Sequence, residues 1–445
     1  MGFSSMTSED DSRPQSASLL YGHTGATLRL PSGVTVLQGL QVPPLPEPQQ
    51  AVRRALEAPI GTAPLAALLR QRAPRSVAIT VSDITRPVPN RDFLPGLLDT
   101  VQAAGVPLSA VVVVIGTGMH RPSTAAERER IVGPETLQRC TVLDHRADAA
   151  ETLTTVSTDP PVRVCRRFAE ADFRIVTGYI EPHFMAGFSG GRKGVCPALV
   201  DLATVQRFHG FETLHDPGAE NGRLEANPCH RIALEVARLV GVDFLFNVAV
   251  TRDRQIAGIF CGDLVAAHAA GCRQVAAWTR ARVAAPYDLV ISNGGGYPLD
   301  QTYYQTVKGM CGALPALGTT STLLLLSACA EGLGSSAYAD LLFEYGRDWQ
   351  RFLADAAAQP DHTRLDQWQL QMQCRVLERI GTERLWLATD GVAPTDLARL
   401  AVTPVSGSGD AVARAQRCVD AFVAAHPGAR VAVIPEGPYT LLERG

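Results

Sequence analysis

Fourteen residues, "EPHFMAGFSGGRKG" at 181–194, put a histidine, four glycines and a lysine into one short stretch. An imidazole, flexible backbone and a primary amine together suit holding an anionic group beside a side chain that moves protons. The stretch is not a P-loop. Counted from Gly187, the second required glycine is replaced by Arg192, and Gly194 stands where Ser or Thr would follow the lysine. Ser189, Gly190 and Gly191 can still offer amides to a phosphate, and Pro182 restricts the backbone ahead of His183. "VSDITRP" at 81–87 supplies Asp83 and Arg86, whose planar fork matches a carboxylate; the plainer reading is a turn closed by Pro87. "GTGMHRP" at 116–122 leaves His120 at the tip of a glycine turn. "VQRFHGFETLHD" at 205–216 adds His209 and His215, whose spacing of six keeps them off a single helix face and so excludes a simple two-histidine chelate. His215 reads as an ordinary histidine. In "NGGGYPLDQTYYQTVKG", 293–309, a glycine turn suited to close approach of a ligand precedes a helix. There Gln301, Tyr304, Gln305 and Lys308 recur at spacings of three and four and share a face.

The elements that must position these residues follow from hydrophobic periodicity. Apolar β-branched runs predict strands at 76–82, 110–115, 141–143, 173–177, 244–250, 289–292, 321–326, 385–388 and 431–434. Amphipathic helices are predicted between them, among them 91–104, 199–213, 228–240, 263–281, 301–313, 364–379 and 407–425. Continuous apolar strands alternating with helices predict an α/β fold, two domains with mainly parallel sheets covered on both faces. Four of the polar clusters directly follow predicted strands, where open α/β sheets bind ligands. The last belongs to the other domain, so an interdomain active-site cleft is expected. The expected division is a tail at 1–17, an N-terminal domain at 18–281 and a C-terminal domain at 282–445. The break is set at "RVAAPYD", 282–288, and the last segment is a candidate to pack back on the first domain.

Composition narrows the function classes. The chain has 445 residues, 46% hydrophobic and 19% charged, enough to bury sizeable cores. A formal net charge of -3 argues against nucleic acid or an anionic membrane as the main partner. No apolar run reaches the roughly 18 residues of a membrane span, and the first residues lack the basic start and apolar core of a signal peptide. Ten cysteines scattered without a CxxC pair suit a reducing compartment, so a cytoplasmic location is expected.

Taken in order, "DITRP", "GTGMHRP", "EPHFMAGFSGGRKG", "RFHG" and "GGGYPLDQTYYQTVKG" resemble the nickel-dependent lactate racemase family of 2-hydroxy acid racemases and epimerases. The resemblance runs from about residue 20 to the C-terminus. It is most specific at 178–210, where the steps of ten residues from His183 to Lys193 and sixteen from Lys193 to His209 match the family pattern. It implies a nickel-pincer nucleotide joined covalently to Lys193, with His209 completing the nickel coordination and the 189–191 turn cradling the phosphate. It implies further that His120 and His183 alternate as general base and acid, and that Arg86 and Lys308 hold the substrate. Asp83, Tyr304 and Gln305 match other active-site positions, Tyr304 on the cofactor side. The reaction implied is inversion at C2 by hydride transfer, which avoids a carbanion beside a carboxylate. The cofactor would come from separate biosynthetic proteins. Lactate is the default substrate. A larger sugar acid, with 212–230 and 328–365 lining its pocket, stays open. So do a metal-dependent hydrolase using His120, His183 and His209, and a cofactor-binding module without activity.

Overall fold

The structure is a computed structural model and describes residues 15–445. Two compact units emerge: residues 40–278 with 359–364, and residues up to 39 with 279–358 and 365–445. In the first unit a six-stranded sheet runs in the order Ile256–Gly262, Phe244–Val250, Phe173–Tyr179, Val77–Ser82, Val111–Gly116, Thr141–Asp144. All neighbours are parallel except the edge pair of Phe244–Val250 with Ile256–Gly262. The central strands are buried along nearly their whole length, as expected of a sheet covered on both faces. Helix Asn90–Ala103 packs Phe93, Leu94, Leu97, Leu98 and Val101 into the core on one side. The chain leaves Val77–Ser82 toward Val111–Gly116 and later returns on its other side as Phe173–Tyr179. That reversal is a topological switch point, and the 83–87, 116–122 and 180–194 loops all leave from its carboxyl edge.

The second unit has its own six-stranded sheet, in the order Thr403–Pro404, Leu385–Ala388, Leu317–Leu326, Tyr287–Asn293, Val431–Val433, Thr35–Val36, all parallel. Its switch point lies between Tyr287–Asn293 and Val431–Val433.

Three expectations about organisation change. The N-terminal residues belong with the second unit. Strand Ala26–Leu30 alternates buried and exposed, and Ala26, Leu28 and Leu30 bury themselves in the same core as Ala415, Val419 and Phe422 of helix Ala411–Ala425, while Thr35–Val36 adds an edge strand beside Val431–Val433. A two-stranded hairpin has no core of its own and must find an apolar face. Of the expected tail at 1–17, residues 1–14 lie outside the described residues and the last three fall in strand Gln15–Leu19. The final strand, Leu441–Arg444, pairs with Arg280–Val283 inside the second unit. Strand Ile256–Gly262 was absent from the sequence reading. Its short hairpin connection through Thr251–Gln255, where the Thr251 amide donates to Gln255 O, is the signal that was there to find. The helix expected over 199–213 is two, Leu202–Phe208 and Phe211–His215, separated at Gly210.

Candidate active site

At the switch point of the first unit, the loop after Val77–Ser82 folds as a tight turn. The Arg86 amide donates to Asp83 O (3.1 Å), and the Thr85 hydroxyl donates to Asp83 Oδ1 (2.6 Å). The other carboxylate oxygen, Oδ2, is 2.7 Å from His120 Nδ1. Burial pushes the Asp83 carboxyl up, but the hydrogen bond and charge of His120, with Thr85 and Arg86, outweigh it and hold the group below its ordinary range. His120 stays half exposed at the tip of its turn, where its amide donates to Thr117 O (3.0 Å). The turn is tied down from behind, since Thr117 Oγ1 donates to His145 O and the His145 ring meets Val200 O at 2.9 Å. Nothing in the spacing of His145 marked it for this role.

Arg86 lies 3.6 Å from Glu181, the residue that opens the Glu-Pro-His stretch, and both side chains are largely buried. Glu181 is the site residue that sequence reasoning passed over. An acidic residue immediately ahead of Pro-His at a strand end was its only signal. His183 is buried, and its Nδ1 accepts from the amides of Met185 (3.3 Å) and Ala186 (3.2 Å).

The glycine-rich turn is explained by packing. The Ser189 amide donates to Glu181 O, the Gly191 amide to Asn247 Oδ1 (2.7 Å) and the Lys193 amide to Gly190 O. Gly190 and Gly191 have φ of 72° and 56°, and a Cβ on them would meet Asn247 Oδ1 at 2.6 Å and the His268 ring at 2.5 Å. The Ser189 and Gly191 amides thus have partners inside the protein. Ser189 Oγ likewise donates to Tyr179 O. Arg192 and Lys193, adjacent and chemically alike, part company. Arg192 is fully buried, donating to Ala186 O (2.7 Å) and bonding His268 Nε2 (3.0 Å). Lys193 points instead over the ring of Phe208, with Nζ 5.1 Å from its centroid. Burial, then the Arg192 and Arg86 cations, push the Lys193 amine down to about 7.

Phe208 also contacts His209 edge-on, with ring centroids 4.6 Å apart. His209 Nδ1 lies 2.9 Å from Val205 O, so the ring donates there and its Nε2 carries the lone pair. Burial first, and then the Lys193 charge, push this imidazole down to about 3, so it is neutral at physiological pH. A neutral imidazole with one nitrogen fixed by a carbonyl is a metal-ready ligand. The Lys193 amine and this imidazole both lie against the Phe208 ring. His215 is exposed and stacks on Phe211 (5.1 Å), consistent with its reading as an ordinary histidine. Among the described residues, no three His, Cys, Asp or Glu side chains are grouped to hold a metal by themselves.

In the second unit, helix Tyr303–Gly312 is capped by Thr302, whose hydroxyl accepts from the Gln305 amide. Tyr304, Gln305 and Lys308 form its partly exposed face while Tyr303, Thr306, Val307 and Met310 are buried, as the spacing predicts. Gln301 belongs to a separate single turn, Leu299–Gln301, so it leaves the stripe. Trp368 Nε1 donates to Tyr304 OH (2.7 Å), and Gln369 Nε2 donates to Tyr304 O. Gln305 Oε1 is buried with no hydrogen-bond partner among the described residues. The 294–296 turn, expected to approach a ligand, is closed on its own chain. A Cβ on Gly294 would meet Ser327 Oγ at 2.6 Å, and one on Gly295 would meet Leu299 at 2.8 Å.

The chain matches the family model of the lactate racemase N-terminal domain over residues 21–222 and that of the lactate racemase C-terminal domain over 283–441. A lactate racemase of Thermoanaerobacterium thermosaccharolyticum is 32% identical over 393 residues, covering 87% of this chain and 89% of its own. A lactate racemase of Lactiplantibacillus plantarum is 34% identical over 333 residues, covering 74% and 77%. The structure of the T. thermosaccharolyticum lactate racemase apoprotein superposes with a TM-score of 0.86 at 29% identity, covering 96% of this chain and all of the other. A Thermotoga maritima protein at 15% identity shares the fold, with a TM-score of 0.65 over 91% of this chain. With both domain models matched in order and relatives of this similarity along most of its length, the chain belongs to the lactate racemase family of isomerases.

Proposed function

We propose that the protein racemises lactate with a nickel-pincer nucleotide held through Lys193 and His209. The observation that carries this reading is the arrangement around Phe208: an amine lowered to about 7 on one side, and on the other an imidazole whose Nε2 lone pair is set by Val205. Both suit a tethered metal group, the amine for covalent attachment through a thioamide and the imidazole for coordination. When bound, the cofactor would supply a hydride acceptor for the C2 hydrogen and return it to either face. The chain's own residues supply the rest. Arg86, oriented by Glu181, binds the substrate carboxylate; His120, oriented by Asp83, takes the hydroxyl proton; His183 handles the C2 oxygen. Lys308 and Gln305 are proposed as further substrate contacts and Tyr304 as a cofactor contact. A hydrolase would need three protein ligands to a water-activating metal, and the described residues offer no such group.

The second reading is C2 epimerisation of a larger sugar acid by the same residues. Co-expression with the cofactor-making proteins, intact-mass measurement and a screen of lactate against aldonates decide between them. A mass increase localised to Lys193 with loss of lactate optical activity supports the first reading. The same adduct with turnover of aldonates alone supports the second, and an unmodified but active protein overturns both.

A further inference from the structure

The two catalytic histidines are bonded in opposite senses. Asp83 is a carboxylate and can only accept, so the 2.7 Å contact requires His120 Nδ1 to carry a proton. In the neutral ring the lone pair is then at Nε2. The backbone amides of Met185 and Ala186 can only donate, so His183 Nδ1 must offer them its lone pair, and the proton of the neutral ring sits on Nε2. A proton added at Nδ1 of His183 would face two N–H groups at close range. No comparable obstacle exists at His120, whose carboxylate partner accommodates either charge state.

We propose that His120 and His183 hold non-equivalent roles in the resting protein, His120 as the proton acceptor and His183 as a neutral hydrogen-bond donor to the C2 oxygen, each tautomer being imposed by its Nδ1 partner. This rests on the racemase reading for the identity of the substrate, while the tautomers themselves do not. In the oxidation step the substrate O–H bond breaks. Its proton passes to His120 Nε2 and its electron pair becomes the second C–O bond, as the C2 hydrogen leaves with its electrons to the hydride acceptor proposed above. His183 keeps its proton and stabilises the oxygen through Nε2–H. The enantiomer whose hydroxyl reaches His120 therefore meets a ready base. For the other, His183 must first give up its amide contacts.

Nitrogen-15 spectra of histidine-labelled apoprotein at pH 8 test the tautomers directly, with assignments from signals lost in His120→Gln and His183→Gln. The expected pattern is an unprotonated Nδ1 and protonated Nε2 for His183, and the reverse for His120. A protonated Nδ1 on His183, or two protonated nitrogens on either ring, overturns the proposal. In the cofactor-loaded protein, single-turnover oxidation of one lactate enantiomer should lose at least 10-fold less in His183→Gln, which keeps an N–H near the position of Nε2, than in His120→Gln; equal losses for both enantiomers overturn it. Should the tautomers be as expected while wild-type loaded protein racemises no hydroxy acid, the functional reading fails instead.

Discussion

The two sheets share an architecture and use their carboxyl edges differently. In each, the chain reverses direction at a switch point and a polar cluster follows. In the second unit the cluster closes on itself. Asn293 Nδ2 donates to Ile434 O and Pro435 O, Asn293 Oδ1 accepts from the Gly295 amide, and the Asp300 carboxylate accepts from the amides of Gly22 and Ala328. These contacts satisfy backbone left over by a sharp turn. In the first unit the carboxylates are directed at side chains proposed to act on the substrate, Asp83 at His120 and Glu181 at Arg86. A strand-end position makes ligand chemistry possible, but the partner of each charged group decides whether it occurs.

The contrast can be broken most severely at Lys193. Lys193→Ala should abolish the covalent adduct by intact mass and lower turnover at least ~10^3-fold, with an unchanged circular dichroism spectrum. Asp83→Asn keeps the shape but turns a pure acceptor into a group that can donate to Nδ1, reversing the His120 tautomer. A loss of kcat on the order of 10^2–10^4-fold is expected by analogy with other carboxylate–histidine pairs, together with the reversed nitrogen-15 pattern. Acid sharpens the comparison. His145, His209 and His230, all in the first unit, are pushed down to about 4, 3 and 4, chiefly by burial. Unfolded, each would bind a proton near its ordinary 6.5, so between there and about 4 the unfolded chain holds more protons than the folded one. Stability is therefore intact above about 6.5 and falls as pH drops through this window, by on the order of 3 kcal/mol for His145 in the acid limit. Deuterium exchange compared at pH 7 and 5, corrected for intrinsic rates, should show the first unit loosening before the second. The smallest effect is expected from Glu181→Gln, which leaves Arg86 less firmly oriented. KM for the hydroxy acid should rise about 10-fold with kcat little changed.

Much of the first unit was legible in the sequence because its signals are local. A continuous apolar run such as 244–250 reads as a buried strand regardless of context, and the strand is Phe244–Val250. The face shared by Tyr304, Gln305 and Lys308 follows from helical spacing alone. The hairpin at 15–30 read as a piece of the N-terminal domain because nothing local says which core it joins. The glycines at 190–191 and 294–296 look alike in sequence whether they admit a ligand or the protein's own His268 and Leu299. The buried glutamines of helix Gln367–Ile380 give the same lesson: Gln373 accepts from Tyr303 OH and donates to Ala401 O, partners 70 and 28 residues away.

By itself the sequence determined most of the elements, the two mainly parallel sheets and the residue types gathered at their carboxyl edges, because periodicity and spacing act over a few residues. Only the tertiary structure decided the state each of those residues holds. It turned Arg192 onto His268 and Lys193 over Phe208, chose the ring nitrogen that carries the proton on His120, His183 and His209, and matched Glu181 to Arg86. Charge state and tautomer depend on burial and on partners brought from distant positions, and those distances exist only after the chain has folded.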